Sequence, residues 1–235
     1  MIIQEPPQSS TASVLPADMS VQQIEAARYA VLRRLAPSLR HHMVRPLQPI
    51  GLIYGVMHHK LSAAQPDLPS VRQEAEKINE FAKAALEECM DMSTWLAPEP
   101  GVVIDVESGV RECVGLMATM LHFCGFRVVN EVEDLPAEVL RNALRMVLGA
   151  ALLELTDAMD ERATVTIHAQ ASPSDVTITL QAELIGDGQI DRYDDGYRKL
   201  VWSDVQALAQ SEQVGLSRQG RQVTLCFAIE PALVP

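Results

Sequence analysis

The chain is short of basic charge, of paired cysteines and of long apolar runs. Nineteen Lys and Arg stand against thirty-one Asp and Glu, a net charge of -12 over 235 residues. That balance argues against non-specific nucleic-acid binding, because neutralising phosphates and releasing their counterions takes a basic surface. It leaves room for a small basic patch that meets an acidic protein. The four cysteines, Cys89, Cys113, Cys124 and Cys226, form no CxxC pair. Neither a zinc pattern nor a disulfide framework is present, and free thiols in a reducing compartment are expected. The first residues lack a cationic start followed by an apolar core, so no signal peptide is read there. No apolar stretch is long enough to cross a bilayer. Solenoid repeats, a nucleophile elbow and an HExxH motif are also missing, which removes the support for a metabolic hydrolase. What is present is a hydrophobic fraction of 48%, ample for a packed core and incompatible with wholesale disorder. The expectation is a cytoplasmic protein with neither nucleic acid nor membrane as partner.

Residues 1–18, rich in Pro, Ser and Gln, read as a loose tail. Asp18 or Ser20 can cap a helix, and Gln23 completes a capping box with Ser20. Ile24, Val31, Leu35, Leu39, Met43, Leu47, Ile50, Tyr54, Met57 and Leu61 then recur at spacings of three and four, one stripe over many turns. Pro37, Pro46 and Pro49 fall inside it and should loosen the helix locally. Pro66 and Pro69 break the pattern, and Ser70 can cap a second helix. That helix has an apolar stripe from Val71 to Leu96 and an acidic opposite face of Glu74, Glu76, Glu80, Glu87 and Glu88. Residues 19–97 therefore form a helical hairpin. Alone it leaves its stripe wet. Two copies close it as a four-helix bundle, so a homodimer is expected.

Residues 101–231 change to a mixed α/β pattern. Short strands are expected at 102–106 and from Phe126, with a helix between them that ends at Gly125. Pro136 is expected to open a long helix through Met159. Two hairpins follow, one around Ser172-Pro173-Ser174 and one around Gln219-Gly220, with a helix between them near Trp202. Helices on one face of a mixed sheet make a two-layer sandwich, so the fold class is α+β.

The most informative stretch is LRHHMVRPLQPI, residues 39–50. At about 100° per residue, His41 lies roughly opposite a stripe that contains Leu39 and Met43. An exposed imidazole can accept a phosphoryl group on one nitrogen while the other holds the proton. From the residues alone, a polar pair on a solvated face is the simpler reading.

The segment His41-His42-Met43-Val44-Arg45-Pro46-Leu47 resembles the H-box of sensor histidine kinases, and it lies on the first helix of a hairpin as that box does. Residues 148–169 resemble the helix and strand that carry the kinase ATP-site asparagines, but Ala150 and Glu154 stand at those places. The glycine-rich nucleotide boxes are missing, apart from a remnant at Ile185–Ile190, and the lid DRYDDGYRKL is short. The whole is similar to ChpT-type histidine phosphotransferases, which join a kinase-like hairpin to a degenerate ATPase-like domain.

The resemblance implies a histidine phosphotransfer protein of a bacterial phosphorelay that passes phosphoryl between receiver aspartates through His41 and uses no ATP. His42 stands where the family has Asp or Glu, the carboxylate that steadies the phosphorylated ring. Arg45 takes the place where bifunctional kinases orient a water with Thr or Asn, so phosphatase activity is expected to be weak. Arg40, Arg45, Leu47 and Tyr54 are the expected receiver contacts, although Leu47 and Ile50 also suit bundle core. The implied partners are receiver domains of response regulators or of a hybrid kinase. The protein holds no cofactor or metal of its own, and the receiver brings magnesium. Two other readings stay open: a non-catalytic pseudo-kinase that docks or sequesters a response regulator, and an ATP-dependent histidine kinase.

Overall fold

A computed structural model describes residues 20–133, 135–190 and 196–230. The expected tail, the alternative cap Asp18 and the first half of the lid segment lie outside the described residues. Helix α1 spans Val21–Val44, a turn of 3-10 helix covers Arg45–Leu47, and α2 spans Gln48–Leu61. Ser20 is the N-cap and forms the full capping box with Gln23. Pro37 is accommodated inside α1, whereas Pro46 sits in the tighter turn. The missing amide and the ring of Pro46 account for the change of helical pitch just beyond the histidine pair.

Helix α3 spans Leu68–Leu96 and returns antiparallel to α1 and α2. Its cap is Asp67, whose carboxylate accepts from the Ser70 amide, so the sequence reading placed the cap three residues late. Glu74 also departs from expectation. It belongs to the acidic face by position but is buried, accepting from Lys60 of α2 at 2.9 Å with Lys77 nearby. The Lys60 hydrogen bond is the main reason its carboxyl is held below the ordinary glutamate range.

Strand β1 (Val103–Asp105) leads into α4 (Val106–Phe123), which ends at Gly125 with φ +86°. Strand β2 is Phe126–Asn130 and β3 is Glu138–Leu140. Pro136 does not open a helix as expected. The chain first pairs β3 antiparallel with β1, and α5 runs Arg141–Asp157. The hairpin β4 (Glu161–Ala171) and β5 (Asp175–Gln189) follows, then α6 (Trp202–Ser211) and the hairpin β6 (Gly215–Gln219) and β7 (Gln222–Ala228).

The main sheet has the order β2-β4-β5-β7-β6, with β2 parallel to β4 and the other neighbours antiparallel. Val165, Ile167, Ile178, Leu180, Val223 and Leu225 alternate onto one fully buried face. Helices α4, α5 and α6 cover that face. Gly109 of α4 permits a close approach to α5, since a Cβ there would fall 2.2 Å from Leu144 Cδ2. The architecture is an N-terminal helical region followed by a mixed α/β sandwich.

The N-terminal half of α1 has a different neighbour from the one its periodicity suggested. Ala27, Val31, Leu35 and Leu39 are buried, and α1 packs on α6, α5 and α4 as well as on α3. Arg34, itself buried, donates two hydrogen bonds to Asp157 at the end of α5 (2.8 and 3.1 Å). Arg28 reaches Glu212 just after α6 at 3.0 Å. The upper stripe thus belongs to the sandwich core, while α2 buries none of its residues in the single chain.

Candidate functional site

His41 and His42 occupy the last turn of α1, just before the 3-10 turn. His41 is exposed, as its phase on the helix predicted. Its ring meets that of His42 edge-on, with centroids 6.2 Å apart. His42 points the other way, into the hairpin. Its Nδ1 lies 3.0 Å from Glu88 Oε1 of α3, and the two side chains are 27% and 31% exposed. The sequence reading set Glu88 among solvated acids. What revealed its role is the pairing of α1 with α3, which brings together residues forty-six positions apart.

His42 and Glu88 line one wall of a cavity of about 340 Å³ between α3 and α4. Asp91, Trp95, Arg111 and Glu112 complete much of the rest. Behind it lies a charged knot that joins the helical region to the sandwich. Arg145 is buried, stacks on the Trp95 ring with its guanidinium 4.5 Å from the centroid, and pairs with Glu112 and with Thr94. Arg141 adds a 2.6 Å contact to Asp91.

Arg40 and Arg45 are exposed beside the histidines. Leu47 and Tyr54 are 48% and 56% exposed, so neither is core within one chain. Arg40 lies near the end of α1 before the pitch change, Arg45 and Leu47 lie in the 3-10 turn, and Tyr54 lies two turns into α2. Cys113 is the most shielded thiol, and burial pushes its pKa far up, so it is not a nucleophile.

At the place of the kinase asparagines, Ala150 is fully buried and Glu154 accepts from Arg218 of β6 at 2.7 and 2.9 Å. Arg218 in turn lies over the Trp202 ring. Glu154 and Asp157 each anchor an arginine that ties α5 to another element. The glycine remnant at Ile185–Ile190 falls mostly within the end of β5. A cavity of about 350 Å³ lies between the end of α5 and the strands, lined by Leu155, Met159, Asp160, Leu184, Arg218 and Arg221 among others.

No family model matches the chain, and no curated protein matches it. Solved structures do. The Acinetobacter baumannii histidine kinase AdeS aligns over 81% of this chain and 97% of its own, with 13% identity and a TM-score of 0.41. A bacterial phosphotransferase aligns over 91% and 100%, with 12% identity and a TM-score of 0.38. The histidine kinase ThkA, in complex with the response regulator protein TrrA, aligns over 88% and 64%, with 15% identity and a TM-score of 0.40.

Six matching structures are histidine kinases or their catalytic domains. They overturn the expectation of a ChpT-type phosphotransferase that relays phosphoryl without ATP. With it go the exclusion of an ATP-dependent kinase and the description of the sandwich as a degenerate ATPase domain. At these identities and scores the likeness assigns no activity to this chain. No helix among the described residues is long and apolar enough to cross a membrane. What stands is architecture: a helical region followed by a mixed α/β sandwich.

Proposed function

We propose that this protein works in two-component signalling as a histidine-kinase-like module that docks the receiver domain of a response regulator. The docking surface is the margin of Arg40, His41, Arg45, Leu47 and Tyr54. The observation that carries the reading is the exposure of these side chains on one junction, between α1 and α2, in a chain whose net charge is -12. A local basic and apolar margin on an acidic protein suits a partner with an acidic, phosphate-bearing pocket. Residues 19–97 act as the docking and dimerisation domain and residues 101–231 as the kinase-type sandwich. The active form is a homodimer. Leu52, Val56, Leu86 and Met90 stay exposed in one chain and offer the apolar area that a second copy covers. The site of action is the cytoplasm, consistent with four free cysteines.

Calorimetric titration with purified receiver domains tests the docking reading. A cognate receiver binds the full chain, and Arg45→Glu weakens binding about tenfold, roughly 1.4 kcal/mol. Binding indifferent to Arg45 and Tyr54 substitutions refutes the assigned surface.

A second reading has its own support. The cavity beside the end of α5 is lined by Arg218 and Arg221, each paired with a carboxylate, Glu154 and Glu161, that a nucleotide's phosphates would displace. In that reading a histidine at the end of α1 takes the γ-phosphoryl of ATP. Acid-labile label from γ-labelled ATP, lost on double substitution of His41 and His42, is its test.

A further inference from the structure

The two adjacent histidines have different chemical surroundings. His41 projects into solvent, and His42 Nδ1 is held at 3.0 Å by the Glu88 carboxylate. We propose that His42, not His41, is the phosphoryl-accepting histidine of this protein, and that Glu88 is its positioning residue. The inference rests on the nucleotide-dependent reading above for its donor. It departs from the sequence reading, in which His41 was the acceptor and His42 a substitute for an acid.

The physical argument starts from the tautomer. A carboxylate oxygen can only accept, so Nδ1 must carry the proton in the neutral ring. The lone pair is then confined to Nε2, the nitrogen far from the backbone. No other hydrogen bond engages the ring among the described residues, and the side chain is 27% exposed beside a cavity open to solvent. Nε2 is therefore both a nucleophile and reachable. His41 makes no comparable contact with a carboxylate among the described residues. Without such a partner neither tautomer is selected, and no neighbouring carboxylate among the described residues offsets the positive charge gained on attack.

The step balances without a further reactant. The Nε2 lone pair forms the N–P bond to the γ-phosphorus of a nucleoside triphosphate. The bond from that phosphorus to the bridging oxygen breaks, and its electron pair leaves on the nucleoside diphosphate. The ring becomes an imidazolium held beside the Glu88 carboxylate, and its Nδ1 proton leaves afterwards to solvent. The same partner that selects the tautomer thus stabilises the developing charge. The 3-10 turn at Arg45–Leu47 lies directly below.

Potassium phosphoramidate tests the dyad on the full chain without any protein or nucleotide partner. Phosphohistidine is mapped by mass spectrometry, and phosphorus NMR distinguishes the ring nitrogen. The expected product is Nε2-phosphohistidine at position 42, formed about tenfold faster than at position 41, the low end of what a carboxylate partner contributes to a histidine. Glu88→Ala abolishes the preference, and Glu88→Gln, which keeps the contact without the charge, lowers it. Nitrogen NMR of the His42 ring reports the Nδ1–H tautomer in the native chain and a mixture in Glu88→Ala, a change that a purely structural role would not produce. Equal labelling of both histidines, label on His41 alone, or a His42 preference that survives Glu88→Ala overturns the proposal. A parallel incubation with magnesium ATP separates the two readings. No label from ATP, with the phosphoramidate preference intact, supports the dyad and removes only the nucleotide-dependent reading.

Discussion

Helices α1 and α2 carry one uninterrupted apolar stripe, yet its two halves end in opposite environments. Leu35 of α1 is fully buried, while Tyr54 of α2 is 56% exposed. Helix α1 packs on α6, α5 and α4, whereas among the described residues α2 packs chiefly on α3 and the 3-10 turn. The same periodicity thus serves two purposes. One half joins the helical region to the sandwich, and the other stays exposed in the single chain. The pitch change at Pro46 separates them, and the histidine pair sits on that border.

The largest test of this contrast is truncation. Leu35→Ala should lower unfolding stability by about 4 kcal/mol, because its surroundings are packed from several helices. Tyr54→Ala should change it by less than about 0.5 kcal/mol at concentrations where the chain is monomeric. Denaturant unfolding monitored by circular dichroism measures both, and equal losses would dissolve the distinction between the halves.

A smaller effect is expected from Arg34→Ala. It removes the guanidinium from the Asp157 carboxylate, which keeps the Leu200 amide, in a site where both side chains are less than a tenth exposed. Breaking a buried pair from one side should cost about 3 kcal/mol. Hydrogen exchange would show where, with α1 and the end of α5 losing protection while α2 is unchanged. Loss spread evenly over α2 would contradict the separation.

The smallest effect lies on the open half, at the Lys60–Glu74 contact. The folded Glu74 carboxyl is held below its ordinary value, chiefly by the Lys60 hydrogen bond. Its contribution is therefore complete above the unfolded carboxylate value and is lost as the pH falls through the depressed folded one. Protection of the α2–α3 end should decline over that acidic window, and Glu74→Gln should flatten the dependence. A rise in protection toward acid would reverse the assigned sign.

Much of the fold was legible because local rules and global packing agree. The Ser20–Gln23 capping box, the alternation in β4 and β5 and the helix stop at Gly125 all appear where the sequence places them. The failures have physical causes. Pro136 precedes β3 because Glu138–Leu140 pairs with β1, a long-range demand that a local helix signal does not contain. Asp67 outcompetes Ser70 as a cap because its carboxylate can reach the Ser70 amide, so both residues take part in one turn. Glu74 and Glu88 looked like a solvated acidic face, but the crossing of α3 against α1 and α2 turned both inward onto Lys60 and His42.

The amino-acid order alone determined the helical hairpin, the mixed sandwich and the exposure of His41, since each follows from periodicity, caps and turn residues within a few positions. Only the tertiary structure decided which half of the first stripe is covered, that Glu154 and Asp157 are held by arginines, and that His42 has a carboxylate partner. Those outcomes join residues far apart in the chain, and their energies depend on distance and burial that spacing in sequence does not encode.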